Sequence, residues 1–254
     1  MKVKTRTIIP AAMLAVMLAA PAYAHFPWIT LHEKNGGIQE FEIGWGHRFP
    51  DDGVLDPDRV ASIRLISPDG NAREIPVNQA PAYALSGIET AGTHIIEVIQ
   101  KESYYSRTTQ GGKRGSRADH PNAISCGFST NTMKAIFPVE RGNGDVQKKL
   151  DHDLEIIPAA DPATLSAGDR LPVKVTFRGK PFTGSIYATW DAYNGDDEFG
   201  LELKTNEEGL AEVRLENGGL WMIMANESED YPDPDVCDRH SYTATLTFRV
   251  GEPN

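Results

Sequence analysis

The sequence predicts an all-β protein built as two β-sandwich domains in tandem. Three observations predict this fold class. Short runs rich in β-branched and aromatic residues alternate between apolar and polar positions, turn-forming residues separate these runs closely, and no long stretch has the periodicity of an amphipathic helix. Closely spaced short strands are typical of a sandwich, whereas a parallel α/β sheet needs long helical crossovers between its strands.

Residues 1–24 have the features of a secretory signal peptide. Three basic residues precede an apolar run at 8–20, and small residues precede an expected cleavage point after Ala24. This run of 13 residues is shorter than the about 20 that a transmembrane helix needs. No cysteine follows the cleavage point, which argues against a lipid anchor. We therefore expect a periplasmic protein that is not embedded in a membrane, with the extracellular space as the alternative location.

The charge balance of the chain is acidic. The chain has 25 Lys and Arg residues against 36 Asp and Glu residues, a formal net charge of -11. Removal of the signal peptide would take away three basic and no acidic residues, so the mature chain would carry -14. Such a surface disfavours nucleic acid as a partner. It would attract cations, but it is also an ordinary means of keeping a protein soluble, so charge alone indicates no function.

The predicted N-terminal sandwich covers residues 25–153. Its clearest strands are expected at 40–45, 62–66 and 93–99, separated by glycine-containing turns at 35–37, 68–70 and 91–92. Residues 110–122 are rich in glycine and basic residues and lack an apolar period, so we expect a mobile loop there. A short helix is an option at 145–150.

The predicted C-terminal sandwich covers residues 154–254 and begins with a proline-rich joint at 158–162. Strands are expected at 171–178, 185–191, 198–205, 210–215, 220–225 and 242–250, in a Greek-key arrangement. Neither unit contains a dinucleotide-binding glycine pattern, a P-loop, a nucleophile-elbow serine or a zinc-protease helix motif. The sequence thus lacks the signatures of several large enzyme classes.

Cys126 and Cys237 are the two cysteines of the chain. In an exported protein they are expected to form a disulfide, because the compartment is oxidising. For a closed loop of about 110 residues the chain-entropy model gives a stabilisation of about 4 to 5 kcal/mol at most. The alternatives are two reduced thiols, or one thiol that binds a soft metal.

Five short motifs occur in order along the chain: Ala24-His25-Phe26 with Trp28, Gly46-His47-Arg48-Phe49-Pro50, Leu154-Glu155-Ile156-Ile157-Pro158 with Asp161-Pro162, Phe177-Arg178-Gly179-Lys180-Pro181 with Gly184, and Tyr242-Thr243-Ala244-Thr245-Leu246-Thr247-Phe248. Together they resemble a bacterial family of unknown function formerly labelled as the periplasmic component of a cobalt/nickel ABC transport system. The resemblance runs over essentially the whole mature chain. It implies a periplasmic, non-enzymatic protein linked with nickel or cobalt uptake, a membrane metal transporter as partner, and an immunoglobulin-like or transthyretin-like C-terminal domain.

His25 becomes the first residue of the mature chain if cleavage follows Ala24. It then offers an α-amine and an imidazole that can close a chelate ring on one transition-metal ion, and binding should weaken on acidification because protons compete for both groups. A second ligand is needed, and His47 is the candidate, because its loop follows an expected strand. Nitrogen ligands of this kind suit Ni, Co, Cu and Zn. The alternative for His47 is a loop histidine hydrogen-bonded to the main chain.

Other candidate groups are weaker. His32, His94, His120, His152 and His240 are expected to have structural or solvent-exposed roles, with His120 the most plausible further ligand. The acidic stretch at 227–238 could hold calcium, but it lacks the EF-hand spacing and glycine, so a solvated loop is preferred. The four tryptophans are expected in the core.

These observations predict a binding protein for nickel or cobalt, or copper, that passes the ion to a membrane importer and is not an enzyme. One alternative is a structural or interaction module of the cell envelope in which His25 is incidental. A second is a copper-dependent oxidative enzyme, because an N-terminal histidine with a second histidine on a β-sandwich resembles the copper brace of polysaccharide monooxygenases. The chain lacks an obvious flat aromatic platform for a polysaccharide.

Overall fold

The computed structural model describes residues 25–32, 39–88, 90–140, 144–196 and 198–252. Within these ranges the chain forms 18 β-strands and three short 3-10 helices, without an α-helix. The predicted all-β class is confirmed. The expected signal peptide at 1–24 and the expected turn at 35–37 lie outside the described residues. In the part of the chain that is described, no helix is long and apolar enough to cross a membrane.

Ten strands precede residue 140 and eight follow it. The first ten are β1 (Phe26–Leu31), β2 (Gln39–Gly46), β3 (Gly53–Val54), β4 (Val60–Ile66), β5 (Ala72–Glu74), β6 (Ala82–Leu85), β7 (Gly92–Gln100), β8 (Ser103–Thr108), β9 (Gly111–Arg114) and β10 (Ser125–Val139). The others are β11 (Leu154–Pro158), β12 (Arg170–Phe177), β13 (Lys180–Pro181), β14 (Ser185–Trp190), β15 (Leu201–Lys204), β16 (Leu210–Arg214), β17 (Gly219–Asp230) and β18 (Arg239–Val250). Each strand expected from the sequence corresponds to one of these.

The strands form three sheets. One has four strands, β1, β2 and β3 with β6 beside β2, and another has β11, β12 and β13 with β16 beside β12. The third has ten strands in the order β15-β14-β17-β18-β10-β7-β4-β5, with β8 paired to β10 and β9 paired to β8. Parallel pairing of β10 with β18, from Gly127 opposite Arg239 to Ile136 opposite Phe248, joins the two halves of the chain in this sheet.

The ten-stranded sheet buries a hydrophobic core on each face. Successive strand residues point to opposite faces, and in β17 Leu220 and Met222 belong to the core beneath β1 and β2, whereas Trp221 and Ile223 belong to the core beneath β11 and β12. The two small sheets therefore pack on opposite faces of the large one. The two predicted sandwiches form two cores that share a middle layer, and the domain boundary between residues 153 and 154 stays a prediction.

Burial explains why some strands were easier to predict than others. Strand β12 is covered on one face, so apolar residues alternate with exposed ones and Leu171, Val173 and Val175 are fully buried. Full burial of such a side chain contributes about 1.5 to 3 kcal/mol. Strand β17 is covered on both faces along its first half, so the sequence of that half is a continuous apolar run. An unbroken run does not reveal which residues share a face.

Residues 110–122 differ from the expected mobile loop. Gly111–Arg114 pair with β8 to form an exposed hairpin, and the segment after it is held by Arg117, whose guanidinium donates to both carboxylate oxygens of Asp238 at 2.6 and 2.7 Å. The apolar period is missing because every residue of β9 is exposed. The helix considered at 145–150 is a turn.

The predicted disulfide between Cys126 and Cys237 is present, with a Cα–Cα distance of 4.9 Å. Cys126 lies near the start of β10 and Cys237 just before β18, and both side chains are buried. The main-chain N–H of Asp238 donates to the carbonyl of Cys126 at 3.1 Å. The disulfide therefore closes the end of the parallel strand pair that joins the two halves.

Candidate metal site and the adjoining cleft

The register of the first two strands brings His25 and His47 together. Strands β1 and β2 are antiparallel, and Phe26 lies opposite Gly46. His25 immediately precedes β1 and His47 immediately follows β2, so both stand at the same end of the strand pair. The centroids of the two imidazole rings are 4.3 Å apart, and the ring planes are inclined by 55°. The two predicted ligands are neighbours, and their role in binding a metal stays a prediction.

Hydrogen bonds fix the loop that carries His47. The main-chain N–H groups of His47 and Arg48 donate to the Asp52 carboxylate at 2.7 and 3.3 Å. The bond from His47 is the largest influence that lowers the pKa of Asp52. A Cβ atom on Gly46 would lie 2.2 Å from the nearer Asp52 oxygen. Glycine at this position thus allows Asp52 to close the loop and hold His47 at the strand end.

The side chain of His47 is oriented by Glu198. Its ring Nδ1 lies 2.7 Å from Oε1 of Glu198, and the two side chains are 35% and 31% exposed. Because a carboxylate can only accept a hydrogen bond, Nδ1 is the donor, and Nε2 of the neutral ring keeps a lone pair. Metal-bound histidines almost always make such a second bond to a carboxylate, carbonyl or water. The pair therefore fits a metal ligand and its supporting residue.

Trp45 lies beside the site, where it is partly buried and packs against the edge of the core beneath β1 and β2. Its ring is nearly parallel to that of His25, with an interplanar angle of 8° and centroids 5.9 Å apart. The guanidinium of Arg59 lies 3.9 Å from the Trp45 ring centroid, a cation–π contact. The other three tryptophans, Trp28, Trp190 and Trp221, are buried as predicted.

The donors at this site are nitrogen atoms. Over the described ranges, no group of three or more His, Cys, Asp or Glu side chains is placed to hold a metal ion. An ion bound here would use the two imidazoles and need a further ligand, which the amine of a mature N-terminus at His25 could supply. Nitrogen donors of this type suit Ni, Co, Cu and Zn. The residues present therefore fit a transition-metal ion rather than calcium or magnesium, which prefer oxygen ligands.

A cleft of about 970 Å³ adjoins the site, and His25 forms part of its wall. Other lining residues come from both halves of the chain and include Trp45, Arg59, Gln100, Arg114 and Asn226. The volume is at the upper end of the range for small-molecule sites, about 300 to 1,000 Å³. The lining residues lie on both sides of β10, which pairs with β7 and β8 along one edge and with β18 along the other.

The other five histidines lie away from the site, and each has a polar contact of its own. These contacts are His32 with Glu42, His94 with the carbonyl of Gly92, His120 with the carbonyl of Arg114, His152 with Glu97, and His240 with the hydroxyl of Tyr242. Their structural surroundings agree with the roles expected from the sequence.

Three of the six carboxylates in the acidic stretch at 227–238 are paired with arginines. Glu229, Asp230 and Asp238 form ion pairs with Arg178, Arg239 and Arg117 respectively. Hydrogen bonds from these partners are the largest influence lowering the pKa of Glu229 and of Asp238. The arginines neutralise these three carboxylates within the chain. Residues 227–230 form the end of β17, so the expected solvated loop is confined to residues 231–238, between β17 and β18.

Sequence reasoning missed Glu198, Asp52 and Arg59. Asp52 had a weak local signal, because the Asp-Asp-Gly sequence at 51–53 is typical of a turn next to the histidine. Arg59 is the last residue of a proline-led 3-10 helix whose N-cap is Asp56, but nothing in that pattern indicates a cleft. Glu198 had no signal, since it comes from the opposite half of the chain.

Comparison with solved structures gives only distant matches. A structure described as fibronectin(III)-like modules of CbhA from Clostridium thermocellum is 10% identical, with a TM-score of 0.23, and the alignment covers 88% of this chain and 94% of that one. The D0-D1 domain of intimin is 14% identical, with a TM-score of 0.24 and coverage of 83% and 89%. At such scores the all-β assignment rests on the strand pairing itself.

No curated protein matches the sequence. A family model does match, and it covers residues 22–229, which include His25, His47 and Glu198. The chain therefore belongs to the family described as domain of unknown function (DUF4198).

Proposed function

We propose that the mature protein is a periplasmic binding protein for a divalent transition-metal ion, nickel or cobalt, or copper. One observation carries the proposal: the rings of His25 and His47 lie 4.3 Å apart, centroid to centroid, at the end of the β1–β2 pair. Signal-peptide cleavage after Ala24 completes the donor set by adding the amine of His25. One residue then supplies two donors, and His47 supplies a third through Nε2.

The residues around His47 hold this second ligand in position before an ion binds. His47 is held through its main-chain N–H by Asp52 and through its ring by Glu198. Less side-chain freedom is lost when an oriented imidazole binds an ion, so orientation increases affinity. Glu198 also places negative charge near the ion without acting as its ligand.

Exposure favours a carrier. His25 is exposed and His47 only half-buried, so a partner could approach the ion and exchange ligands with it. A membrane metal transporter is the partner implied by the resemblance noted above. In this function the ion is cargo and the protein catalyses no reaction.

The test compares the mature protein, beginning at His25, with a version that has one additional glycine before His25. The additional residue moves the amine away from the imidazole but keeps both histidines. We expect the Kd for Ni²⁺, Co²⁺ or Cu²⁺ measured by isothermal titration calorimetry to rise at least about tenfold, a loss of about 1.4 kcal/mol. His47→Ala should have a comparable effect.

His32→Ala is the matched control, because it removes an exposed histidine paired with Glu42 outside the site. It should leave the metal affinity unchanged. Equal affinity of the glycine-extended and mature proteins would contradict the proposal. Native mass spectrometry of protein isolated from the periplasm should show an N-terminus at His25, and any other start would contradict it as well.

The cleft beside His25 favours one second candidate, a copper-dependent oxidative enzyme, because a substrate could lie next to the site. Copper-loaded protein supplied with a reductant and dioxygen would then reduce the dioxygen by two electrons and two protons to hydrogen peroxide, and His47→Ala would abolish this release. Absence of peroxide from the copper-loaded protein would exclude this candidate and leave the carrier.

A further inference from the structure

The cleft beside His25 is rich in arginine although the chain as a whole has a net charge of -11. Arg59, Arg107 and Arg114 line it, and Glu227 is the one carboxylate among its lining residues. The ion pairs that arginines make in the described structure involve Arg64, Arg117, Arg170, Arg178 and Arg239. None of the three cleft arginines has such a partner within the described ranges, so their charge is available to a ligand.

Two of these arginines influence each other. Arg59 is half-buried against Trp45. Burial lowers the pKa of its guanidinium, and the positive charge of Arg114 lowers it further, against a smaller opposite effect of the Asp56 carboxylate. Two cations that face one cleft repel each other, and an anion bound between them would relieve this repulsion. A carboxylate suits this place because it can accept paired hydrogen bonds from a guanidinium.

Two amide oxygen atoms at the cleft are buried and have no hydrogen-bond partner within the described residues. Gln100 is 2% exposed and lines the cleft, and its Oε1 has no hydrogen-bond partner in the described structure. Asn226 also lines the cleft and is partly buried, and its Oδ1 atom is buried without a hydrogen-bond partner in the described structure. An unsatisfied buried acceptor costs about 1 to 3 kcal/mol. Hydroxyl or amino groups of a ligand would satisfy these acceptors.

We propose that the cleft binds a small organic anion that also has hydroxyl or amino donors, that is, a hydroxycarboxylate or an amino acid. The negative charge and the donor groups of the ligand are argued from different residues. The three arginines select a carboxylate over a neutral sugar, and the unpartnered oxygens of Gln100 and Asn226 select a ligand with donors over a simple inorganic anion. The volume of about 970 Å³ exceeds the need of a sulfate or phosphate ion.

The position of His25 in the wall gives this ligand a connection to the metal site. Hydroxycarboxylates and amino acids chelate transition metals through adjacent oxygen or nitrogen atoms, so the anion could complete the coordination of an ion held by His25 and His47. This connection rests on the proposed function. Anion binding itself does not, because the arginines and amides act without a metal.

The test uses metal-free mature protein and isothermal titration calorimetry with citrate, L-malate and L-histidine as probes. At least one probe should bind. Tricarballylate is the matched ligand for citrate, because it has the same three carboxylates and no hydroxyl group, and it should bind more weakly. Glucose and inorganic sulfate should bind more weakly still or not at all.

Arg114→Gln should weaken binding of the best probe at least about tenfold, because it removes a charge-assisted hydrogen bond. Arg73→Gln, on the exposed strand β5 and outside the cleft, makes the same charge change and should alter the affinity less than twofold. If Arg114→Gln fails to fold by circular dichroism, Arg107→Gln replaces it, since Arg107 is also exposed in the cleft.

Failure of all three probes to bind wild-type protein would overturn the proposal. So would equal losses in Arg114→Gln and Arg73→Gln, or binding of sulfate as tight as that of the best probe. The His47→Ala variant separates this proposal from the preceding one, because it should lose metal affinity and keep the affinity for the anion. If His47→Ala lost its affinity for the anion together with its affinity for the metal, the anion site would not be independent of the metal site.

Discussion

Nδ1 of His47 donates a hydrogen bond to Oε1 of Glu198 at 2.7 Å, although 151 residues separate the two in the sequence. His47 belongs to the loop after β2, and Glu198 precedes β15 in the other half of the chain. The orientation of the candidate metal ligand therefore depends on how the two halves pack. Four predictions follow from this relationship and from three buried interactions elsewhere in the fold.

Glu198→Gln should weaken metal binding while leaving the fold intact. The glutamine keeps the size of the side chain but loses the charge that orients and polarises the His47 ring, and such changes typically cost about 10- to 100-fold in metal affinity. Glu202→Gln on the exposed part of β15 is the matched control and should leave the Kd unchanged. Equal Kd values for Glu198→Gln and wild type in calorimetry would show that Glu198 does not support the ligand.

Acid should destabilise the protein through Glu97. This fully buried residue of β7 accepts hydrogen bonds from Arg64 and His152. Burial alone would raise the pKa of Glu97, but the bonds from His152 and Arg64 outweigh it and lower the pKa to about 2. A lowered pKa stabilises the folded state above the unfolded value of 4.5, and this contribution is lost as the pH falls from 4.5 towards about 2.

The difference between these two pKa values corresponds to about 3 kcal/mol at neutral pH. Urea unfolding should therefore show that wild type has a larger free energy of unfolding than Glu97→Gln. This difference should have its full size at pH 7 and be smaller at pH 3. Glu40→Gln, an exposed position on β2, should show no such difference at either pH. A difference of constant size would indicate that the carboxylate charge of Glu97 contributes nothing.

Lys134 and Glu155 should tolerate joint replacement better than single replacement. Both are about 3% exposed, and Nζ of Lys134 donates to Oε1 of Glu155 at 2.7 Å, which ties β10 to β11. Lys134→Met leaves a buried carboxylate without its cation and should lower the free energy of unfolding by about 3 to 5 kcal/mol. Burial lowers the pKa of Lys134, so the charged pair is held at a desolvation cost.

The double variant Lys134→Met with Glu155→Gln removes both charges and keeps an acceptor for the main-chain N–H of Leu150. It should recover most of the lost stability in urea unfolding. A double variant as unstable as Lys134→Met alone would show that the loss comes from packing rather than from an unpaired charge.

Replacement of Cys126 and Cys237 together by serine should lower the free energy of unfolding by about 2 to 4 kcal/mol, because the closed loop of 111 residues gains freedom in the unfolded chain. Urea unfolding of the double variant measures the loss. Reduced wild-type protein should have nearly the same midpoint as the double variant. A midpoint equal to that of oxidised wild type would contradict a stabilising role for the disulfide.

The strands were predictable where their pattern was local. In β12, alternation of Leu171, Val173 and Val175 with exposed residues is visible in the sequence because one face of the strand meets a core. Strand β10 was missed, although it is the longest, because it pairs with β7, β8 and β18 and is buried on both faces along much of its length. Its partners lie far apart in the sequence, so no local pattern indicates which strands it joins.

By itself the sequence determined the all-β class, the disulfide pair, and His25 and His47 as the residues to consider, because residue type and position beside a strand end are local properties. Only the tertiary structure decided that the two halves share one sheet through β10 and β18, that Glu198 orients His47, and that unpaired arginines line a cleft beside His25. Those contacts join residues of both halves. They depend on packing that buries two faces of one sheet at once, and no short stretch of sequence encodes such packing.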